Sequence, residues 1–234
     1  MENIDSDTTQ VYILNGSPRK QWNTAKMCES FKNGVVDNGL SAKIINLYDL
    51  NYKGCYSCFA CKVRNGKLYG KCAYPDDLNE ILEKVSNAEG LVFASPIYFG
   101  EVTAQMRAFM ERLLFPVYVY DKTGSKIPPK KLETAIIYTM NVKPERFNDW
   151  FVGVNKSGPL GLFEKWIEMT YETPEIICAY DTLQFDNYDN YVADVWDVEE
   201  KKQHNKTEFP KELEAAYNAG LKMAEKIKAK LNKE

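Results

Sequence analysis

Apolar residues along this chain gather in short unbroken runs, and between the runs they recur every three or four positions. The runs are Val11 to Asn15, Lys43 to Leu47, Leu91 to Ser95, Ala135 to Thr139 and Glu175 to Ala179. Runs of that length predict buried strands, and the spacing between them predicts helices. The first helix follows Asn23 with Met27, Cys28, Phe31 and Val35 on one face. A second spans Asp77 to Asn87, turning Leu78, Ile81, Leu82 and Val85 inward, with Asp76 as its cap. A third spans Val102 to Leu114, with Met106, Phe109, Met110 and Leu113 inward and Arg107, Glu111 and Arg112 outward. The fourth opens at Ser157 and Pro159 and buries Leu160, Phe163, Ile167 and Tyr171. The last runs from Pro210 to Leu231 through Leu213, Tyr217, Leu221, Ala224 and Ile227. Five strands alternating with five helices predict an α/β fold. It is a doubly wound, five-stranded parallel sheet of order 2-1-3-4-5 in three αβα layers.

One domain over residues 10–234 is expected, with 1–9 an unstructured lead-in. Three connections exceed ordinary loop length: Tyr52 to Pro75, Phe115 to Lys131, and Asp181 to Phe209. The aromatic-rich segment Phe185 to Tyr191 within the last is expected to pack rather than to act as a linker. The composition, 44% hydrophobic and 27% charged over 234 residues, is that of a soluble globular protein. A net charge of -3 gives no support to a nucleic-acid partner. No apolar run approaches the roughly 20 residues needed to cross a membrane. The first residues lack the basic and apolar regions of a signal peptide. A cytoplasmic location is therefore expected, with the six cysteines as thiols, metal ligands or redox groups rather than disulfides.

Between the first strand and the first helix lies Gly16-Ser17-Pro18-Arg19-Lys20, followed by Asn23-Thr24-Ala25. It reads either as an ordinary turn into a capped helix or as an anion cradle. In the second reading, backbone N–H groups at the helix N-terminus are joined by the Ser17, Asn23 and Thr24 side chains and the Arg19 fork. After the third strand comes Ser95-Pro96-Ile97-Tyr98-Phe99-Gly100, a rigid proline, two aromatics and a glycine. That loop either plugs the top of the core or forms a shelf whose backbone N–H groups meet the polar edge of a flat heterocycle. In an open α/β sheet both loops stand at the switch point where ligands bind. A cradle beside a shelf suits a phosphorylated planar cofactor, and FMN fits.

The pairing of Gly16 to Lys20, Asn23 and Thr24 with Ser95 to Gly100, Met106, Phe109, Glu111 and Arg112 resembles the NADPH-dependent FMN reductase family. It is also similar to the iron–sulfur flavoproteins within that flavodoxin-like group. The resemblance covers about residues 10 to 115. It implies a flavodoxin-like fold, non-covalent FMN, and NAD(P)H-dependent reduction of flavins, quinones or similar small acceptors. It puts the FMN phosphate on Ser17, Arg19, Asn23, Thr24 and the Ala25 N–H, and the isoalloxazine against Pro96, Ile97, Tyr98, Phe99 and Gly100. Thr139 and Asn141 are implied on the far side of the flavin, where this chain departs from glycine-containing versions. The chain has no GxGxxG, so a nicotinamide has to stack on the exposed flavin face. With one histidine, His204, in a polar insertion, the catalytic chemistry is assigned to FMN and to no side chain.

Cys55, Cys58, Cys61 and Cys72 form a C-x2-C-x2-C-x10-C array. Its thiolates suit a [4Fe–4S] cluster or, less typically, zinc. A third reading is a reduced loop that shapes the flavin mouth or a subunit interface. Iron–sulfur flavoproteins carry a similar array before the third strand, with a shorter gap to the fourth cysteine. Cys28 and Cys178 sit at inward positions and read as core. Two functions follow: an FMN-dependent NAD(P)H oxidoreductase, or an electron carrier between ferredoxin-like donors and FMN through a cluster. A non-catalytic flavin- or metal-binding module is a weaker third. A homodimer or higher homo-oligomer is expected, with the Cys55–Cys72 and Phe115–Lys131 loops at the interface, because both are rich in aromatics.

Overall fold

Alternation of side chains between the two faces of each strand sets the architecture. The computed structural model describes residues 10–122, 127 and 130–233; the expected lead-in over 1–9 lies outside the described residues. Strands β1 (Val11–Asn15), β2 (Ala42–Asn46), β3 (Gly90–Tyr98), β5 (Glu133–Thr139) and β6 (Glu175–Ala179) pair in parallel in the order β2-β1-β3-β5-β6. A two-residue strand, β4 (Glu101–Val102), pairs antiparallel with β3. The five long strands thus take the expected 2-1-3-4-5 order, and β4 is the addition.

Tyr12, Leu14, Phe93, Ile136 and Tyr138 point to one face, under helices α2 (Leu78–Ser86), α3 (Ala104–Leu114) and α5 (Pro159–Thr170). Val11, Ile13, Val92, Ala94, Ala135 and Ile137 point to the other, under α1 (Asn23–Asp37) and α7 (Phe209–Leu231). The central strands β1, β5 and β3 as far as Ser95 are therefore buried on both sides and read as unbroken apolar runs, while the edge strands β2 and β6 keep exposed positions at Lys43 and Ile176. Helices α1 and α7 touch backbone to backbone. A Cβ on Gly34 would lie 2.0 Å from the Tyr217 carbonyl oxygen, and one on Gly220 would lie 2.1 Å from that of Phe31. Asn38 Nδ2 and Ser30 Oγ add bonds to the Leu221 and Leu213 carbonyls at 2.9 and 2.6 Å.

Two helices were not expected. Helix α4 (Pro144–Phe147) is a single turn. Helix α6 (Val198–Thr207) lies in the last insertion and buries one residue, Lys201, so it carries no apolar period to read. The aromatic segment before it does pack: Phe185 stacks on Tyr191 with centroids 3.9 Å apart, and Tyr188 is buried. No helix among the described residues is long and apolar enough to cross a membrane.

Candidate functional site

The β1 register pairs Asn15 with Asn46 and Ala94, so the first loop leaves the sheet between β2 and β3. Asn15 Oδ1 accepts the Ser17 N–H at 3.0 Å and closes the turn. Thr103 Oγ1 donates to the Gly16 carbonyl at 2.8 Å, and Ser95 Oγ accepts the Thr103 N–H at 3.0 Å, tying this loop to the end of β3. Trp22 precedes α1, and no side chain caps that helix. Its first N–H groups and the positive end of its dipole are therefore left facing the loop.

Beyond Ser95 the sequence reads as a loop, and the chain instead makes a tight hairpin. Ile97 pairs with Val102 and Tyr98 with Glu101, leaving Phe99 and Gly100 as a two-residue connection. Their φ values are 52° and 82°, the positive pair that a type I′ turn requires. Gly100 meets that demand without cost. Phe99 does not, and its side chain stands fully in solvent. Burial pushes the Tyr98 hydroxyl above its ordinary pKa, and the nearby Arg19 charge partly opposes the shift.

A third element completes the site. After β6 the segment Asp181 to Gln184 crosses over the first loop. Arg19 donates to the Gln184 carbonyl at 2.7 Å. Trp22 Nε1 and Asn23 Nδ2 both donate to the Leu183 carbonyl, at 3.0 and 2.8 Å. The Arg19 guanidinium lies 4.6 Å over the Trp22 ring. Thr24 and Thr139 hydroxyls meet at 2.7 Å, joining α1 to the end of β5. Just before this segment, Glu212 of α7 accepts the Tyr180 N–H at 2.9 Å. Burial pushes its carboxyl up to about 7, and its Oε2 is buried without a hydrogen-bond partner.

These elements enclose a cleft of about 90 Å³. Of the residues expected there, Ser17, Arg19, Asn23, Thr24, Pro96, Ile97, Tyr98, Thr139 and Asn141 line it. Ala25, Phe99 and Gly100 do not: the Ala25 side chain is buried in the first turn of α1, and the hairpin tip projects past the rim. Met140 joins its expected neighbours Thr139 and Asn141, whereas Trp22, Thr182, Leu183 and Gln184 were not expected to line it. Trp22 sits where the α1 cap was to be read, so its position was a usable signal. The Thr182–Gln184 segment carried none.

The second site is the cysteine loop. Cys55, Cys58, Cys61 and Cys72 all line one cavity of about 20 Å³, with Glu111 and Arg112 on its wall. Ser57 and Phe59 adopt positive φ, 54° and 56°, as the loop winds around it. The Ser57 N–H donates to Cys55 Sγ at 3.4 Å. Arg112, expected on the outer face of its helix, is instead 2% exposed. The long loop before α2 folds over that face, which helical spacing alone does not reveal. All three guanidinium nitrogens are engaged. Nε donates to Cys72 Sγ at 2.8 Å, and the others reach the Asp76 carboxylate, Asn79 and the Lys53 and Tyr74 carbonyls at 2.8–3.1 Å. Lys62 Nζ enters the Phe115, Pro116 and Tyr118 carbonyls, and its burial lowers its pKa. Among the described residues no group of three or more His, Cys, Asp or Glu has metal-binding geometry. Cys28 lies in the core under α1 and α7, Cys178 packs against the core on the opposite face of the sheet, and burial raises both thiols, Cys178 to about 12.

Comparison with known proteins bears on both sites. Residues 9–127 match the sequence profile of the NADPH-dependent FMN reductase family. An iron–sulfur flavoprotein of Methanocaldococcus jannaschii is 36% identical over 103 residues, which are 44% of this chain and 51% of that one. An iron–sulfur flavoprotein of Archaeoglobus fulgidus is 37% identical over 103 residues, 44% of this chain and 48% of that one. The match thus spans about half the length of these curated relatives. The crystal structure of an azoreductase from Bacillus anthracis superposes with a TM-score of 0.62 at 13% identity, covering 92% of this chain and 99% of that one, which is a likeness of fold. Since the matched profile runs from the head of β1 past α3, and so carries the first loop, the hairpin and the cysteine array together, the chain belongs to the NADPH-dependent FMN reductase family.

Proposed function

We propose that this chain binds one FMN non-covalently in the cleft and acts as an NAD(P)H-dependent oxidoreductase toward flavins, quinones or similar small acceptors. The observation that carries this reading is the meeting, in one cleft, of an uncapped helix N-terminus with unspent donors and an apolar wall. Arg19 has one guanidinium nitrogen committed to Gln184, and the Asn23 amide spends one of its two N–H groups on Leu183. That donor set fits a phosphate, and the cleft volume suits a group of that size. The flat remainder of the cofactor would lie along Pro96 to Gly100. Ser17, Arg19, Asn23, Thr24 and the Ala25 N–H would hold the phosphate. Thr139 and Asn141 would bound the ring on its far side. FMN supplies the hydride chemistry when bound, and the protein supplies binding, orientation and electrostatics. The exposed Phe99 tip leaves one side of the site open, so that NAD(P)H and the acceptor would use it in turn. Anaerobic stopped flow on the FMN-loaded protein tests this. NADPH or NADH should bleach the flavin absorbance before any acceptor is added. No bleaching by either, with rapid reduction by a low-potential ferredoxin, would reject the reading.

One observation favours the electron-carrier reading as second: the four cysteines line a single cavity. Their donor set fits a four-thiolate cluster, with an N–H on Cys55, a guanidinium on Cys72, and Lys62 beside Cys61 to offset negative charge. The cavity fits no more than a water-sized guest, so a cluster would need the 55–61 loop to move outward. Anaerobic reconstitution with iron and sulfide, read by absorbance and by iron content, distinguishes a cluster from a reduced thiol loop.

A further inference from the structure

Helix α6 of the last insertion has no role in the reading above, yet it holds a buried ammonium beside the cleft. Lys201 of α6 is 2% exposed, one of the few buried charged side chains among the described residues. Its Nζ meets Asp181 Oδ1 at 2.5 Å, the Asp181 carbonyl at 3.2 Å, and Asn141 Oδ1. Those acceptors match the three donors of an ammonium. Asp181 itself adopts a φ of 42°, an unfavourable conformation that the surroundings must hold. From there the contacts run unbroken to the first loop. Asn141 Nδ2 donates to Gln184 Oε1 at 3.0 Å. The Gln184 carbonyl then accepts from Arg19, and the neighbouring Leu183 carbonyl accepts from Trp22 and Asn23. Thr182 is pinned separately, its N–H on the Met140 carbonyl at 3.0 Å.

We propose that Lys201 is a positioning residue for the phosphate end of the flavin cleft, acting through Asp181 and Asn141 on the strap Asp181–Gln184, which sets the Arg19 and Asn23 donors before a ligand arrives. This rests on the FMN reading given above. A buried ion pair gains little net stability over an apolar pair of the same shape, so its effect is expected in geometry. Long side chains such as Arg19 lose rotamer entropy when they bind. Fixing one end of the guanidinium on a carbonyl removes part of that cost beforehand, while its other N–H groups stay available. The inference separates two ligands that share a ring system and differ in the phosphate.

The test compares FMN with riboflavin, which lacks the phosphate, by fluorescence-quenching titration of the full chain. In the wild type FMN should bind more tightly; equal affinities would overturn the phosphate reading itself. Lys201→Met combined with Asp181→Asn removes both charges and leaves no stranded carboxylate. It should keep wild-type riboflavin affinity and lose roughly tenfold in FMN affinity, the scale of one orienting hydrogen bond. Lys201→Arg should retain most of the preference. Gln184→Ala, at an exposed side chain, cuts the tie to Asn141 without disturbing the core, and should move the preference the same way even if the double variant folds poorly. An unchanged FMN-to-riboflavin ratio in the folded double variant or in Gln184→Ala would overturn the proposal. So would an equal loss for both ligands, which marks a general weakening of the fold.

Discussion

Replacing Arg112 with methionine removes a charge that the surrounding loop is built around. The aliphatic part of the site stays filled, so the cavity contribution is small. What remains is the Asp76 carboxylate, whose side chain is 10% exposed, with its 2.8 Å partner gone. The Lys53 and Tyr74 carbonyls, Asn79 and the Cys72 sulfur lose donors at the same time. Breaking a buried pair from one side costs about 3–5 kcal/mol, because the remaining charge is left uncompensated. Summing each lost bond separately would exceed this, since the groups share one guanidinium and are not additive. The loss is thus comparable to a large part of the 5–15 kcal/mol typical of a domain. Urea unfolding at pH 7 followed by circular dichroism measures it. Adding Asp76→Asn to Arg112→Met should recover part of the loss by removing the stranded charge. Cys72 should also react faster with a thiol reagent in the single variant. A loss below about 1 kcal/mol, the range of an exposed pair, would refute the argument that Arg112 braces the cysteine loop.

Arg19→Ala should weaken FMN binding by roughly 1–3 kcal/mol, the scale of a charge-assisted hydrogen bond; equal affinities by calorimetry would reject the phosphate assignment. Burial raises the Glu212 carboxyl from 4.5 to about 7, so the folded chain keeps a proton that the unfolded chain releases between those values. Stability should therefore fall as pH rises through that window, by roughly 3 kcal/mol for the full shift and about 2 kcal/mol once solvent screening at this half-buried carboxyl is counted. Glu212→Gln keeps the acceptor for the Tyr180 N–H and should flatten the trend; parallel pH profiles for the two proteins would count against it. Light scattering should give a mass of at least twice the 26.9 kDa chain at micromolar concentration, with the exposed Phe59, Tyr120 and Trp166 region as the contact. A monomer mass would remove that expectation.

The sheet was legible because its central strands are buried on both faces, so that Val11–Asn15 coincides with its apolar run, and because the edge strand Glu175–Ala179 still carries Ile176 and Ile177 in sequence. The first loop was legible as cleft lining because it leaves the carboxyl end of β1, where an open sheet forms its crevice. The Phe99–Gly100 turn was obscured because Phe99 occupies a conformation that glycine or asparagine normally takes, and the hairpin pairing itself involves only four residues. Arg112 was misread because helical spacing describes one helix and its near face, whereas a loop far away in sequence covers the other side. The strap and Lys201 were invisible for a related reason. Their order comes from polar bonds between distant segments, and a polar helix with one buried lysine has no period to detect.

The backbone contact between α1 and α7 has a consequence for dissection. The family profile ends at residue 127, yet the helix behind the first loop rests on residues 209–231, where Gly220 allows an approach that any side chain would block. The portion recognisable by ancestry is therefore not a portable module. Expressed by itself, it would expose Met27, Phe31 and Val35 to water. During synthesis, the first loop cannot gain its final backing until residues 209–231 have left the ribosome.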